Sequence, residues 1–81
     1  MEDRERVFIL RIESEELLEK AFARLLESPD VSTCIIEPDH LQIRFVASDA
    51  VAEGLIDRIY LLGGLVWSSR HDLTSDAPSY E

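Results

Sequence analysis

The stretch VSTCIIEPDHLQIRFVA, residues 31–47, decides the fold. Two runs rich in β-branched residues, 31–37 and 41–47, are separated by Pro-Asp-His at 38–40. Proline suits the first central position of a turn and aspartate can hydrogen-bond its own backbone, so the stretch predicts a β-hairpin. In the second run, residues expected to be buried alternate with residues expected to face outward, as in a strand with one buried face. The buried set is Leu41, Ile43 and Phe45, and the outward set is Gln42, Arg44 and Val46.

A strand and a helix are predicted on the N-terminal side of the hairpin. Residues 6–12 are apolar on both alternating faces, which is typical of a central strand. Ser14 then supplies a helix N-cap, and Ser-Pro-Asp at 28–30 ends the helix. Between them, apolar residues recur at three- and four-residue spacing: Leu17, Leu18, Ala21, Phe22, Leu25 and Leu26.

On the C-terminal side, the sequence predicts a second helix and a fourth strand. Ser48 or Asp49 is expected to cap the helix, and the Gly-Gly pair at 63–64 to end it in left-handed backbone. Gly54 lies inside this helix at a cost of about 1 kcal/mol relative to alanine, so we expect something to pack closely against it. Residues 65–71 form the predicted strand, and the polar segment 72–81 is predicted to be a flexible tail.

The element order is therefore βαββαβ within a single domain, residues 1–71. Right-handed crossovers and short connections fold this order into an α+β, ferredoxin-like domain. We predict a four-stranded antiparallel sheet of order 4-1-3-2, with both helices on one face. Alternation turns Phe8, Leu10 and Ile12 toward the helices.

The opposite face of the sheet is predicted to stay open. We expect Ile9, Arg11 and Arg44 to point outward there. In strand two, Ile35 is placed outward and Cys34 inward, although a bulge near Val31 could invert this assignment. Trp67 has two open interpretations: it fills the core, or it is an exposed contact for a partner.

Composition and charge exclude several functions. The chain has 81 residues, seventeen acidic against eight basic side chains, and a net charge of −9. This charge disfavours nucleic acid and anionic membrane as partners. No apolar stretch approaches the ~18–20 residues of a membrane span, and residues 1–6 do not resemble a signal peptide. We therefore predict a cytoplasmic protein without membrane insertion.

Chemistry-bearing residues are few and are predicted to lie apart. The candidate cluster is His40, His71, Cys34, Asp39 and Asp72. The predicted strand order places the two histidines at opposite ends of the sheet, roughly 20 Å apart at ~3.3 Å per strand residue. Cys34 lies in an apolar strand without a basic neighbour in sequence, so it is interpreted as a small core residue. We predict no catalytic, metal or cofactor site, and no enzyme.

Two families resemble parts of the chain. Residues 24–66 resemble heavy-metal-associated domains in their spacing, but the two-cysteine metal loop of that family is absent, because strand one leads directly into Ser-Glu-Glu at 14–16. More of the chain resembles the C-terminal accessory domain of drug-exporter-type ABC transporter ATPases. The segments that carry this resemblance are Leu-Arg-Ile (10–12), Ser-Pro-Asp-Val (28–31), Leu-Gln-Ile-Arg-Phe (41–45) and Pro-Ser-Tyr-Glu (78–81).

The functional prediction is a non-enzymatic regulatory or protein-interaction module. Its partner is expected to be another protein or a second copy, bound through the open face, and the second resemblance implies an ABC transporter component. The predicted interaction residues are Ile9, Arg11, Ile35, Arg44 and Trp67. Two alternatives stay open: a small acidic inhibitor of a nucleic-acid enzyme, and a degenerate metal-chaperone-like domain without metal.

Overall fold

The computed structural model describes residues 5–72 and contains the βαββαβ order. A short 3-10 helix replaces the simple turn of the hairpin. The elements are β1 Glu5–Ile12, α1 Glu15–Glu27, β2 Thr33–Glu37, the 3-10 helix Pro38–His40, β3 Gln42–Ser48, α2 Asp49–Leu62 and β4 Leu65–Asp72.

The four strands form one antiparallel sheet of order β2-β3-β1-β4, which confirms the predicted ferredoxin-like arrangement. β1 is central and pairs with β3 from Glu5 opposite Ser48 to Arg11 opposite Gln42. On its other side β1 pairs with β4, and the register shifts between Arg11 and Ile12. The hairpin and the two crossovers therefore leave β2 and β4 at the edges.

The core lies between the helices and one face of the sheet. Phe8 and Phe45 stack within it, with ring centroids 5.3 Å apart and an interplanar angle of 19°. No polar side chain of the described residues is buried in this layer. The buried residues are Phe8, Leu10, Ile12, Leu18, Ala21, Leu25, Ile43, Phe45, Ala47, Ala52, Leu55 and Ile59.

Serine caps begin both helices, as the sequence predicts. The Leu17 N–H donates to Ser14 Oγ at 3.3 Å, and the Val51 N–H donates to Ser48 Oγ at 3.3 Å. Each bond satisfies a backbone donor that the first turn of a helix leaves free. Of the two candidate caps for α2, Ser48 is the one that the structure uses.

The expectation for Gly54 is wrong, and the expectation for Gly63 and Gly64 is confirmed. Apart from the backbone of its own helix, no atom of residues 5–72 lies within 4 Å of a Cβ added at Gly54, so the expected close packing there is wrong. Gly63 and Gly64 end α2 with φ of +97° and +85°. The positive φ favours glycine at position 64, and a Cβ there would also overlap Leu17 Cδ1, so the Leu17 side chain would have to move.

The hairpin and the last strand differ from the prediction in detail. Leu41 was expected to start the alternating strand, but it adopts left-handed backbone with φ 54° and closes the 3-10 turn, with its N–H donating to Pro38 O at 3.1 Å. The strand consequently begins at Gln42. β4 continues to Asp72, and the remainder of the predicted tail, residues 73–81, lies outside the described residues.

Candidate functional site

The open face is the side of the sheet opposite the helices, and the strand register orders it into three rows. The rows run across β2, β3, β1 and β4, since residues directly opposite one another in a sheet share a face. They are Glu37–Gln42–Arg11–Trp67, Ile35–Arg44–Ile9–Ser69 and Thr33–Val46–Val7–His71. We use the name open face for these twelve residues.

All five predicted interaction residues lie on the open face. Ile9, Arg44 and Ile35 occupy the middle row, with Ile35 46% exposed. Arg11 and Trp67 are directly opposite each other on β1 and β4. Arg44 therefore lies between Ile9 and Ile35, and Arg11 lies beside Trp67, the only tryptophan of the chain.

Trp67 faces outward, so it does not fill the core; a role as a contact for a partner stays a prediction. Its opposite residue, Arg11, is exposed, and Trp67 itself is 41% exposed. The position of Cys34 opposite the buried Phe45 likewise confirms that Ile35, the next residue, points outward. The bulge considered near Val31 does not invert β2.

The charge of the open face differs from that of the rest of the domain. Residues 5–72 carry thirteen acidic and seven basic side chains, a net charge of −6, whereas the open face carries two arginines and one glutamate, a net charge of +1. Arg44 Nη2 lies 4.0 Å from Glu37 Oε2. Arg11 makes no ion pair with any of the described residues. The open face is therefore a weakly positive, half-apolar surface on an acidic domain.

A second polar cluster lies on the helix side of the sheet, where β4 ends and α2 begins. Arg6 Nε is 3.2 Å from Asp49 Oδ2, Arg70 Nη1 is 3.7 Å from Asp49 Oδ1, and Arg6 also pairs with Asp72. This cluster leaves no signal in the sequence, because the pairings of β1 with both β3 and β4 bring its residues together.

A groove of about 420 Å³ lies beside this cluster, between α2 and β4. Its apolar floor includes Phe8 and Ile56, and its polar walls include Glu53, Ser68 and Arg70. Two of the wall residues, Ser68 and Arg70, project from the helix side of β4 without a helix covering them, since both are exposed. The groove thus exists because the two helices do not extend over β4, the edge strand.

No group of three or more His, Cys, Asp or Glu within residues 5–72 could hold a metal ion. His40 lies in the β2–β3 connection and His71 near the end of β4, at opposite ends of the sheet. Burial raises the pKa of the Cys34 thiol to about 11, so the reactive thiolate is scarce at neutral pH.

No helix in the described part of the chain is long and apolar enough to cross a membrane. Comparison with protein-family models, with curated proteins and with solved structures gives no match.

Proposed function

We propose that this chain is a protein-interaction module that binds a partner through the open face. The observation that carries the proposal is the contrast between a half-apolar face of charge +1 and a domain of charge −6. Apolar area provides the driving force for association, and a local patch without net negative charge removes the repulsion that an acidic partner would otherwise meet.

The partner surface that fits this face combines apolar and acidic groups. Arg11 presents a planar guanidinium with no ion pair among the described residues, and such a fork binds a carboxylate through two parallel hydrogen bonds. Trp67 lies opposite Arg11, and tryptophan and arginine are the residues that most often dominate binding energy at interfaces. Ile9 and Ile35 would fill the apolar part of the contact.

The size of the face favours a transient complex. Four strands at ~4.8 Å spacing and five residues at ~3.3 Å give roughly 300 Å² in projection. Stable complexes bury about 800 Å² per partner, so contact with the open face alone belongs to the small, weak class that includes some transient signalling complexes. This supports a regulatory module rather than a permanent subunit.

Paired charge insertions test the proposal. The full chain and two variants, Ile35→Glu and Leu61→Glu, are immobilised and exposed to lysate of the source cells. Leu61 is 81% exposed on α2, so its substitution adds the same charge on the helix side. We expect a partner that the wild type and Leu61→Glu retain and that Ile35→Glu loses. A partner that Ile35→Glu retains equally would show that the open face is not the binding surface.

The resemblance to the accessory domain of ABC transporter ATPases suggests which partner this module binds. If the domain serves as an accessory to a transporter ATPase, the retained partner would be that ATPase or its permease, which mass spectrometry of the captured protein would identify. A degenerate metal-chaperone-like domain would instead retain metal-transport proteins.

A second candidate function is a small acidic inhibitor that occupies a basic site on a nucleic-acid enzyme. It is favoured by four exposed carboxylates at the start of α1, namely Glu13, Glu15, Glu16 and Glu19. Because exposed charges are screened by salt, such a complex would form at low ionic strength and be released by high salt. Capture that is insensitive to salt would exclude this candidate.

A further inference from the structure

The last strand, β4, is held on one side only. It lies at the edge of the sheet and pairs with β1 alone. Six of its eight residues are exposed, and the other two, Leu65 and Ser69, are half-buried. Val66 is 58% and Trp67 41% exposed, although both are large apolar side chains. A strand with so little burial contributes little hydrophobic stabilisation of its own.

No strand among residues 5–72 pairs with the free edge of β4. Along an antiparallel edge strand, alternate residues direct their N–H and C=O groups away from the sheet, which makes the edge a template for another strand. Short strands, lysine and proline are three obstacles to such pairing; inward-pointing charges and β-bulges are others, and β4 has Arg70 on its helix side and a register shift near its start. β4 has eight residues and contains neither lysine nor proline, whereas the opposite edge, β2, has five residues and is followed by Pro38.

We propose that β4 pairs with β4 of a second copy of this chain, antiparallel and about a two-fold axis at Ser69. In this register Ser69 faces Ser69 of the second copy, Trp67 faces His71, and Ser68 faces Arg70. The pairing covers residues 66–72 and joins the two sheets into one of eight strands. It goes beyond the open-face proposal and does not depend on it.

The charges of β4 favour a second copy as the occupant. The paired segment 66–72 carries one arginine and one aspartate and has no net charge, so two copies can approach here although residues 5–72 together carry −6. The Ser69-centred register places no like charges directly opposite each other. With the axis moved by one residue to Arg70, which shifts the register by two residues, Arg70 would lie opposite itself, and like charges directly opposite are destabilising.

The area of a paired edge is small, so a dimer held by it alone would be weak. Seven residues at ~3.3 Å along a sheet about 10 Å thick give roughly 230 Å² per copy in projection, well below the ~800 Å² of stable complexes. The backbone hydrogen bonds of the added strand pair supply affinity beyond this area. We therefore expect association that depends on concentration.

Adjacent proline substitutions in the full chain test the pairing. Because N–H groups alternate in direction, one of Ser68→Pro and Ser69→Pro removes a hydrogen bond to β1 and the other removes only a donor at the free edge. Circular dichroism identifies the variant that stays folded. In sedimentation velocity, we expect the wild type to shift from monomer to dimer with concentration and the folded proline variant to remain monomeric. A wild type that is monomeric throughout, or a folded proline variant that dimerises like it, would overturn the proposal.

A cysteine at the proposed axis tests the register even where both proline variants unfold. In a Cys34→Ala background, Ser69→Cys is expected to cross-link to its copy on mild oxidation, while Thr33→Cys on β2 serves as the control. Equal cross-linking at the two positions would refute the Ser69-centred pairing.

Ile35→Glu separates this proposal from the open-face proposal. Ile35 lies on β2, at the opposite edge of the sheet from β4, so the variant should keep the dimer while losing the open-face partner. Loss of the dimer in Ile35→Glu would assign self-association to the open face and refute the β4 pairing.

Discussion

Two adjacent residues of β1, Ile9 and Leu10, allow a direct test of which face of the sheet is open. Leu10 is 0% exposed within the core, whereas Ile9 lies on the open face between Arg44 and Ser69. We predict that Leu10→Ala destabilises the fold strongly and that Ile9→Thr, which keeps a β-branched side chain, destabilises it little.

The expected magnitudes follow from burial. Truncation of a fully buried leucine removes its transfer free energy and leaves a cavity, so Leu10→Ala should cost roughly 3 kcal/mol. Ile9→Thr keeps the strand propensity and removes only partly buried apolar area, so its cost should be about 1 kcal/mol or less. A chain of 81 residues has a total stability of roughly 4–12 kcal/mol, so the first variant loses a quarter or more of it.

Urea titration followed by circular dichroism measures both values at low protein concentration. The fluorescence of Trp67, the only tryptophan, provides a second probe. Heating gives the same comparison, because 1 kcal/mol shifts Tm by about 4–8 °C in a domain of this size. A loss in Ile9→Thr that equals the loss in Leu10→Ala, and that does not depend on protein concentration, would refute the assignment of the open face.

Three further predictions concern single positions. Because burial raises the pKa of the Cys34 thiol to about 11, its alkylation rate should keep rising with pH to about 11 in the folded chain; a plateau near pH 8.5, as expected in urea, would contradict this. Gly64→Ala should cost about 2 kcal/mol in urea titration, since its φ of +85° is left-handed and the new Cβ overlaps Leu17; an unchanged midpoint would contradict it. Ser48→Ala should cost about 1 kcal/mol because the Val51 N–H loses its acceptor, and Ser48→Asp should restore it; equal losses in both variants would argue against the cap.

The fold could be predicted from the sequence because burial on one face leaves a periodic signal. The alternation in Ile43 and Phe45 and the helical spacing in Leu18, Ala21 and Leu25 each mark residues that are buried in the structure. These signals need no knowledge of the distant parts of the chain. They therefore indicated the elements, their order and the face of the sheet that stays open.

Features that depend on long-range geometry left no such signal. Trp67 lies in a strand with no buried residue, so alternation could not assign its direction. Leu41 is apolar like a strand residue, but closing the 3-10 turn requires left-handed backbone at its position. The ion pairs of Asp49 with Arg6 and Arg70 join three elements, and only the sheet register reveals them.

The positions of Arg11 and Trp67 couple the two proposals. Arg11 lies on the central strand, but Trp67 lies on β4, whose pairing with β1 is its only sheet contact. We expect a strand held in this way to open at a lower free energy than the core, and each opening would remove Trp67 from its place beside Arg11 on the proposed binding surface. Pairing of β4 with a second copy would suppress the opening and thereby raise the affinity of the open face for its partner. By linkage, a partner that holds Trp67 in place must strengthen the dimer by the same factor.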